Sequence, residues 1–310
     1  MRFGLTTGLP REGAAAREFA QRVEAAGFDV LTFVDHLGWP MPPFSGAAAA
    51  AAVTSRLRVG TLVLNNDFRH PVETARESAG VALVSGGRFE LGIGAGHMKS
   101  EYDAAGVGFD AGGVRVSRLA ESVAVIKALL DGRSVDVDGE YYRVHAAASD
   151  VVPAPPGPVP ILIGGNGTRV LQLAGRVADI AGFAGISHNR DASRVRFSHF
   201  DGPGLADRIA VVRAAAGERF AQIELNALIQ AVVVTTDRAR TAAELADAMD
   251  ADPATLLDSP FVLLGTHEQM AEQLMARQRD YGISYWTVFD ELPGRASALE
   301  DIAQVIALLR

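Results

Sequence analysis

The segment that most limits how this chain can fold runs from Ser85 to Tyr102 and reads SGGRFELGIGAGHMKSEY. Gly86 and Gly87 suit a helix end, because glycine takes the left-handed conformation that satisfies the last carbonyls. Arg88 to Ile93 then has the short, bounded, apolar character of a strand buried on both faces, as in a parallel sheet. Along and just past it, Gly92, Gly94 and Gly96 leave alternate positions without side chains, so something bulky is expected to lie against that backbone.

A dinucleotide fingerprint needs glycine at its first, third and sixth positions before a helix. Counted from Gly92, the sixth position is His97, and no acidic strand-end residue follows about twenty residues later. A glycine-lined strand end in a parallel barrel fits better, since such barrels gather their chemistry at the carboxyl ends of the strands.

The flanking sequence repeats a strand–helix unit. Strands are expected at Arg2–Thr6, Val30–Val34, Leu57–Leu64, Arg88–Ile93, Ile161–Ile163, Ile180–Phe183, Ile223–Val234 and Ser284–Phe289, with helices between them. Leaving aside a short apolar run at Phe261–Leu264, eight strands in βα alternation favour a closed barrel over an open sheet. The expected fold is an α/β (β/α)8 TIM barrel with inserted loops and helices, forming one domain over residues 1–310. A chain of 310 residues accommodates it, since about 250 are typical. Asp138-Gly139 marks a hairpin outside the parallel pattern, and the prolines between 153 and 160 form a stiff spacer. The polar stretch 185–203 is expected to contain a mobile segment near the barrel mouth.

Composition excludes several classes. There is no cysteine, which removes disulfides, thiolate metal sites and a cysteine nucleophile. The seven histidines show no metal-ligand spacing, so no metal is expected. A formal charge of -8 argues against nucleic acid as a partner, and no uninterrupted apolar stretch suggests a membrane span. With no basic leader followed by an apolar run, a cytoplasmic location is the expectation. Serine shows no Gly-x-Ser-x-Gly elbow, and Lys99 and Lys127 are the only lysines. So few nucleophiles beside glycine-rich strand ends suggest that a bound cofactor supplies the reactivity.

Two loops stand out. Asp35 and His36 follow the second strand, where an imidazole could exchange a proton near neutral pH or simply be satisfied by its neighbouring carboxylate. Gly164, Gly165, Asn166, Gly167 and Thr168 lead from a strand into a helix, whose free N–H groups face any ligand there. Trp39 and His97 could wall a substrate pocket or serve only packing and loop structure.

Four ordered motifs make a more specific pattern: Val34-Asp35-His36; Arg58 to Leu64 with Phe68-Arg69-His70-Pro71; Gly87 to Gly96 with Glu101-Tyr102; and Gly164-Gly165 with Ala174 to Asp179. Over nearly the whole chain the sequence resembles the luciferase-like monooxygenase superfamily, and within it the actinobacterial coenzyme F420-dependent oxidoreductases. The resemblance implies a (β/α)8 barrel binding F420, or FMN as the alternative, and a small-molecule substrate. His36 would sit at the redox centre as the catalytic group. Asp35, Leu62, Val63, Asn65, Gly94, Gly96, Gly164, Gly165, Asn166 and Thr168 would contact the cofactor, with Trp39 and His97 facing substrate. It also implies a non-prolyl cis peptide between Leu62 and Val63. The sugar-phosphate dehydrogenases of that branch carry a catalytic glutamate where this chain has His97, which argues against glucose-6-phosphate oxidation. A homodimer is expected from similar proteins. An FMN monooxygenase using O2, or a cofactor-binding protein without turnover, are the competing readings.

Overall fold

The structure, a computed structural model, describes all residues except 9–11, 40, 189–194, 250 and 291–295. Eight parallel strands close on themselves: β1 (Arg2–Thr7), β2 (Val30–Phe33), β3 (Arg58–Thr61, continued by Leu64–Asn65), β4 (Phe89–Gly94), β5 (Ile161–Gly164), β6 (Ile180–Phe183), β7 (Glu224–Ile229) and β8 (Tyr285–Phe289). Each pairs with its neighbours in sequence order, and β8 returns to β1 through registers such as Phe3↔Trp286 and Leu5↔Val288. The α/β TIM barrel is therefore present.

Two hydrophobic layers hold it. The outer faces of the strands pack on the surrounding helices, with Leu5, Val59, Leu91, Ile163 and Trp286 almost fully buried. The inner face contributes a smaller cluster, Val30, Leu162, Ile180 and Tyr285, against which Leu62 and Val63 rest. At the amino ends of the strands Arg2 bridges Glu90 at 2.7 Å and Glu224 at 2.6 Å, and Arg58 reaches the same Glu90 at 2.5 Å. The buried Glu90 and the half-buried Glu224 are thus each met by a guanidinium, so the charge at the amino end of the barrel is paired.

β3 is interrupted by a cis peptide between Leu62 and Val63, as the resemblance implied. Thr61 bridges the gap: its hydroxyl accepts from the Gly92 N–H at 3.0 Å and donates to the Gly92 carbonyl at 2.7 Å. The run Ile223–Val234, expected as one strand, is two. At Gln230 the chain leaves the barrel, its N–H donating to the Phe261 carbonyl at 2.8 Å. Ala231–Val234 then pairs in parallel with Val262–Gly265 outside the barrel, which gives the Phe261 run its role.

Local signals explain most element ends. Gly86 and Gly87 have φ of +64° and +86°, and their N–H groups reach back to Leu83 and Ala82 to close the helix Pro71–Val84. Thr266 and Gln269 form a reciprocal capping box at the start of His267–Tyr281. The Asp138-Gly139 signal is a hairpin, Val135–Asp138 against Arg143–Ala146, whose tip is tied to the helix Gly112–Leu130 because Glu121 accepts from the Tyr141 and Tyr142 N–H groups. The polar region 185–203 contains an antiparallel pair, Ile186–His188 and Val195–Phe197, and the intervening 189–194 lies outside the described residues.

Candidate active site

The carboxyl ends of β2 to β5 bring most of the expected residues into one contiguous patch. Asp35, just past β2, is 7% exposed and fully engaged. Arg69 grips both its oxygens, at 2.5 and 2.8 Å, and the Asn65 N–H donates to Oδ2 at 2.9 Å. Asp35 thus ties the end of β2 to the end of β3 and presents no free carboxylate. It does not orient His36.

Glu101 does. Its Oε1 lies 3.0 Å from His36 Nδ1 and also accepts from the Leu37 N–H at 3.0 Å. Glu101 belongs to a short helix, Lys99–Ala105, which ends at Gly106 with φ of +68°. His36 is half-buried, and its Nε2 makes no hydrogen bond to a described residue. The His97 ring stands edge-on to it with centroids 5.2 Å apart, and Trp39 is tilted at 6.5 Å. Trp39 also lies across Gly8, leaving no room there for a Cβ. Two imidazoles and an indole therefore share one half-buried corner of the mouth.

The bulk that the glycine strand was expected to accommodate turns out to be the chain itself. A Cβ at Gly92 would fall on the Thr61 carbonyl oxygen; at Gly94 it would lie 2.9 Å from Val63 Cγ2, and at Gly164 3.2 Å from Val63 Cγ1. Val63 is wedged between β4 and β5 at the mouth. At Gly96, with φ of +71°, the space is taken by the Tyr102 hydroxyl and Asn65 Oδ1. Asn65 Oδ1 accepts from Tyr102 at 3.0 Å and from the Asp67 N–H at 3.1 Å, while its Nδ2 has no described partner. Burial and the nearby Asp67 carboxylate push the Tyr102 phenol well above its ordinary range, so it acts as a fixed donor.

The third group sits past β5. Gly165 has Val170 Cγ1 2.6 Å from its would-be Cβ, so the loop turns closely over the first turn of the helix Thr168–Val177. No side chain caps that helix at Gly167, and its first N–H groups are open to a ligand. Arg208, from the distant helix Gly202–Ala216, donates to Thr168 Oγ1 at 3.1 Å and to the Asn166 carbonyl at 3.4 Å, and it also pairs with Asp207. Its Nε is buried without a partner, a donor that suits an anion. Asn166 Nδ2 donates to the Ser198 carbonyl at 2.7 Å, tying the loop to the segment after the Val195–Phe197 strand. These groups fit the phosphate of a flavin-type cofactor, and Val63 with Asn65 Nδ2 offers an apolar and a donor contact nearer the barrel axis.

Glu101 and Arg208 are the residues to which sequence reasoning gave no role. Glu101 lies four positions after His97 and had a visible signal; Arg208 is forty residues from Thr168 and had none. A separate cavity of about 520 Å3 opens beside the ends of β7 and β8, lined by Val232, Leu245 and Phe289 together with Glu244, Asp290 and Asp301. It does not touch His36, Asn65 or Gly164.

A closed parallel barrel that brings His36, Asn65 and Asn166 together past the carboxyl ends of its strands is an architecture suited to a small-molecule enzyme. The chain belongs to the luciferase-like monooxygenase family, which it matches over residues 2–284. It is 36% identical over 184 residues to an F420-dependent glucose-6-phosphate dehydrogenase of Beutenbergia cavernae, covering 54% of this chain and 53% of that protein. The chain spans about half the length of the curated relatives it matches. Among solved structures, an F420-dependent secondary alcohol dehydrogenase with an F420-acetone adduct superposes with a TM-score of 0.76 at 20% identity, over 100% of this chain and 99% of that one. A long-chain alkane monooxygenase also reaches 0.76, at 14% identity over 100% and 91%. At those identities the likeness is one of fold. Among the described residues no helix is long and apolar enough to cross a membrane, and no cluster of side chains could hold a metal ion.

Proposed function

We propose that the whole chain works as one catalytic barrel, an F420-dependent oxidoreductase that moves a hydride between the deazaflavin and a small organic substrate bearing a hydroxyl or carbonyl group. The observation that carries this reading is the corner formed by His36, whose Nδ1 is held by Glu101 while Nε2 makes no bond to a described residue. It lies past β2, at the same carboxyl end of the barrel as the Val63 wedge and the anion-suited loop at Thr168. Several curated relatives at 35–37% identity are named as F420-dependent enzymes, which supports the cofactor.

The residues divide the work. Gly164, Gly165, Asn166 and Thr168, with Arg208, hold the cofactor's phosphate; Leu62, Val63, Asn65, Gly94 and Gly96 shape the wall on which its ring would rest. When bound, the deazaflavin supplies the hydride chemistry that the chain lacks. His36 Nε2 takes the proton from a substrate hydroxyl in oxidation and returns it to the carbonyl oxygen in reduction, which places the hydroxyl proton and leaves the carbon-bound hydrogen, with its two electrons, to pass as hydride to or from the cofactor. Trp39 and His97 face the substrate and exclude water from the corner. With an imidazole at position 97, the substrate is proposed to differ from glucose-6-phosphate. A homodimer in the cytoplasm completes the proposal.

The deciding experiment is equilibrium titration of the purified protein with F420 and with FMN. Tighter binding of F420 is expected. Tenfold tighter binding of FMN, about 1.4 kcal/mol, would instead favour the O2-dependent monooxygenase. Tight binding of either without redox exchange over a broad substrate panel would favour a carrier.

A further inference from the structure

Resting on that reading, the geometry points to Glu101 as the residue that positions the His36 ring and selects its tautomer. A carboxylate is an acceptor only, so Oε1 at 3.0 Å from Nδ1 requires the proton on Nδ1. In the neutral ring the lone pair is then on Nε2, the nitrogen with no described partner. The opposite tautomer would set a lone pair against a carboxylate that is only 8% exposed.

The same oxygen also holds the Leu37 N–H at 3.0 Å. The ring and the backbone immediately after it are thereby fixed to one atom of the Lys99–Ala105 helix. Asp35, the sequence neighbour that could have done this, is fully taken by Arg69 and the Asn65 N–H. Rotation of the ring is further limited by the edge of His97 at 5.2 Å. Among the described residues the Glu101 side chain hydrogen-bonds neither the proposed cofactor wall nor the anion loop, and its ring partner is His36, so its effect on the reaction is assigned to that ring.

The test reads the tautomer directly and needs no cofactor. Nitrogen-15 spectra of histidine-labelled protein, with the His36 signals assigned by their loss in His36→Gln, are expected to show the Nδ1–H form for the neutral ring. In Glu101→Ala the Nε2–H form should appear, whereas Glu101→Gln, whose amide oxygen can still accept from both Nδ1–H and Leu37 N–H, should keep the parent pattern. With a substrate in hand, Glu101→Ala should lower kcat on the order of 10²-fold with cofactor Kd little changed, and Glu101→Gln should recover most of that loss. A parent protein in the Nε2–H form, or a Glu101→Ala protein with the parent tautomer, would overturn the inference. Equal losses of kcat in the two variants would do so as well. Because the spectra are taken without cofactor, failure of the F420 reading leaves the tautomer result standing and is recognised separately by the titration.

Discussion

Arg69 grips both oxygens of the Asp35 carboxylate, at 2.5 and 2.8 Å, where the side chain of Asp35 is 4% exposed and that of Arg69 26%. The pair pins the segment just past β2, which carries His36, to the loop that follows Asn65 at the end of β3. Removing the cation would leave a buried carboxylate held only by the Asn65 N–H. Arg69→Met is therefore expected to cost roughly 3 kcal/mol of stability, read from the denaturant midpoint at constant slope. Asp35→Asn in the same background should restore part of that loss, since it removes the stranded charge. A double variant no more stable than Arg69→Met would show that the pair is not the source of the effect.

His36 lies at the centre of the proposed chemistry but supports little of the fold, being half-buried with its one described hydrogen bond to Glu101. His36→Ala should lower kcat by about 10²–10⁴-fold while cofactor affinity falls much less. Rate and affinity have to be measured independently. Turnover at the parent rate would reduce His36 to a packing residue, and a collapse of cofactor binding would make it a support for the ring.

The barrel was legible because parallel strands buried on both faces leave short apolar runs bounded by turns, and each of the eight barrel strands overlaps such a run, four of them ending one residue beyond it. The run Ile223–Val234 misled because its apolar character continues through the point where the chain leaves the barrel. Gln230 is neither glycine nor proline, and the partner that redirects it, Phe261, is thirty-one residues away. The site divides along the same line. Glycines and a strand-end histidine can be seen in sequence, but what fills a glycine's space cannot. Val63 does so at Gly94 and Gly164 through contacts between neighbouring strands of the barrel, and Tyr102 does so at Gly96 once the helix Lys99–Ala105 folds back over it. Likewise the carboxylate beside His36 in sequence is taken by Arg69, and the one that orients it comes from a helix sixty-five residues on.

Two glycines separate backbone conformation from lack of space. Gly86 has φ of +64° with nothing within 4 Å of a would-be Cβ, so Gly86→Ala should cost only the left-handed penalty, about 1–2 kcal/mol. At Gly92 the Cβ would fall on the Thr61 carbonyl oxygen and lie 3.3 Å from Val63 Cγ1, and a barrel backbone cannot swing aside as a side-chain tip can. Gly92→Ala should cost more than about 3 kcal/mol or yield no folded protein. Thermal unfolding of both variants checks the order, and equal losses would mean that β3 gives way easily at its interruption.

Glu24 supplies a pH dependence whose sign can be worked out. On the first helix, Gly13–Ala25, its Oε1 accepts from the N–H groups of Ser55 at 2.9 Å, Arg56 at 2.7 Å and Leu57 at 2.9 Å, which join the chain entering β3 to that helix. Partial burial pushes the carboxyl up, but the three backbone donors outweigh it and the net shift is downward from 4.5. The folded state then binds this proton less readily than the unfolded chain does. The stabilisation is fully present above the unfolded value and is lost as pH falls through the lower, folded one. Glu24→Gln removes the charge and keeps an acceptor, so it should lower the urea midpoint at about pH 7, with the gap to the parent closing towards about pH 3. A gap of the same size at both pH values would mean that the charge of Glu24 contributes nothing to holding Ser55, Arg56 and Leu57.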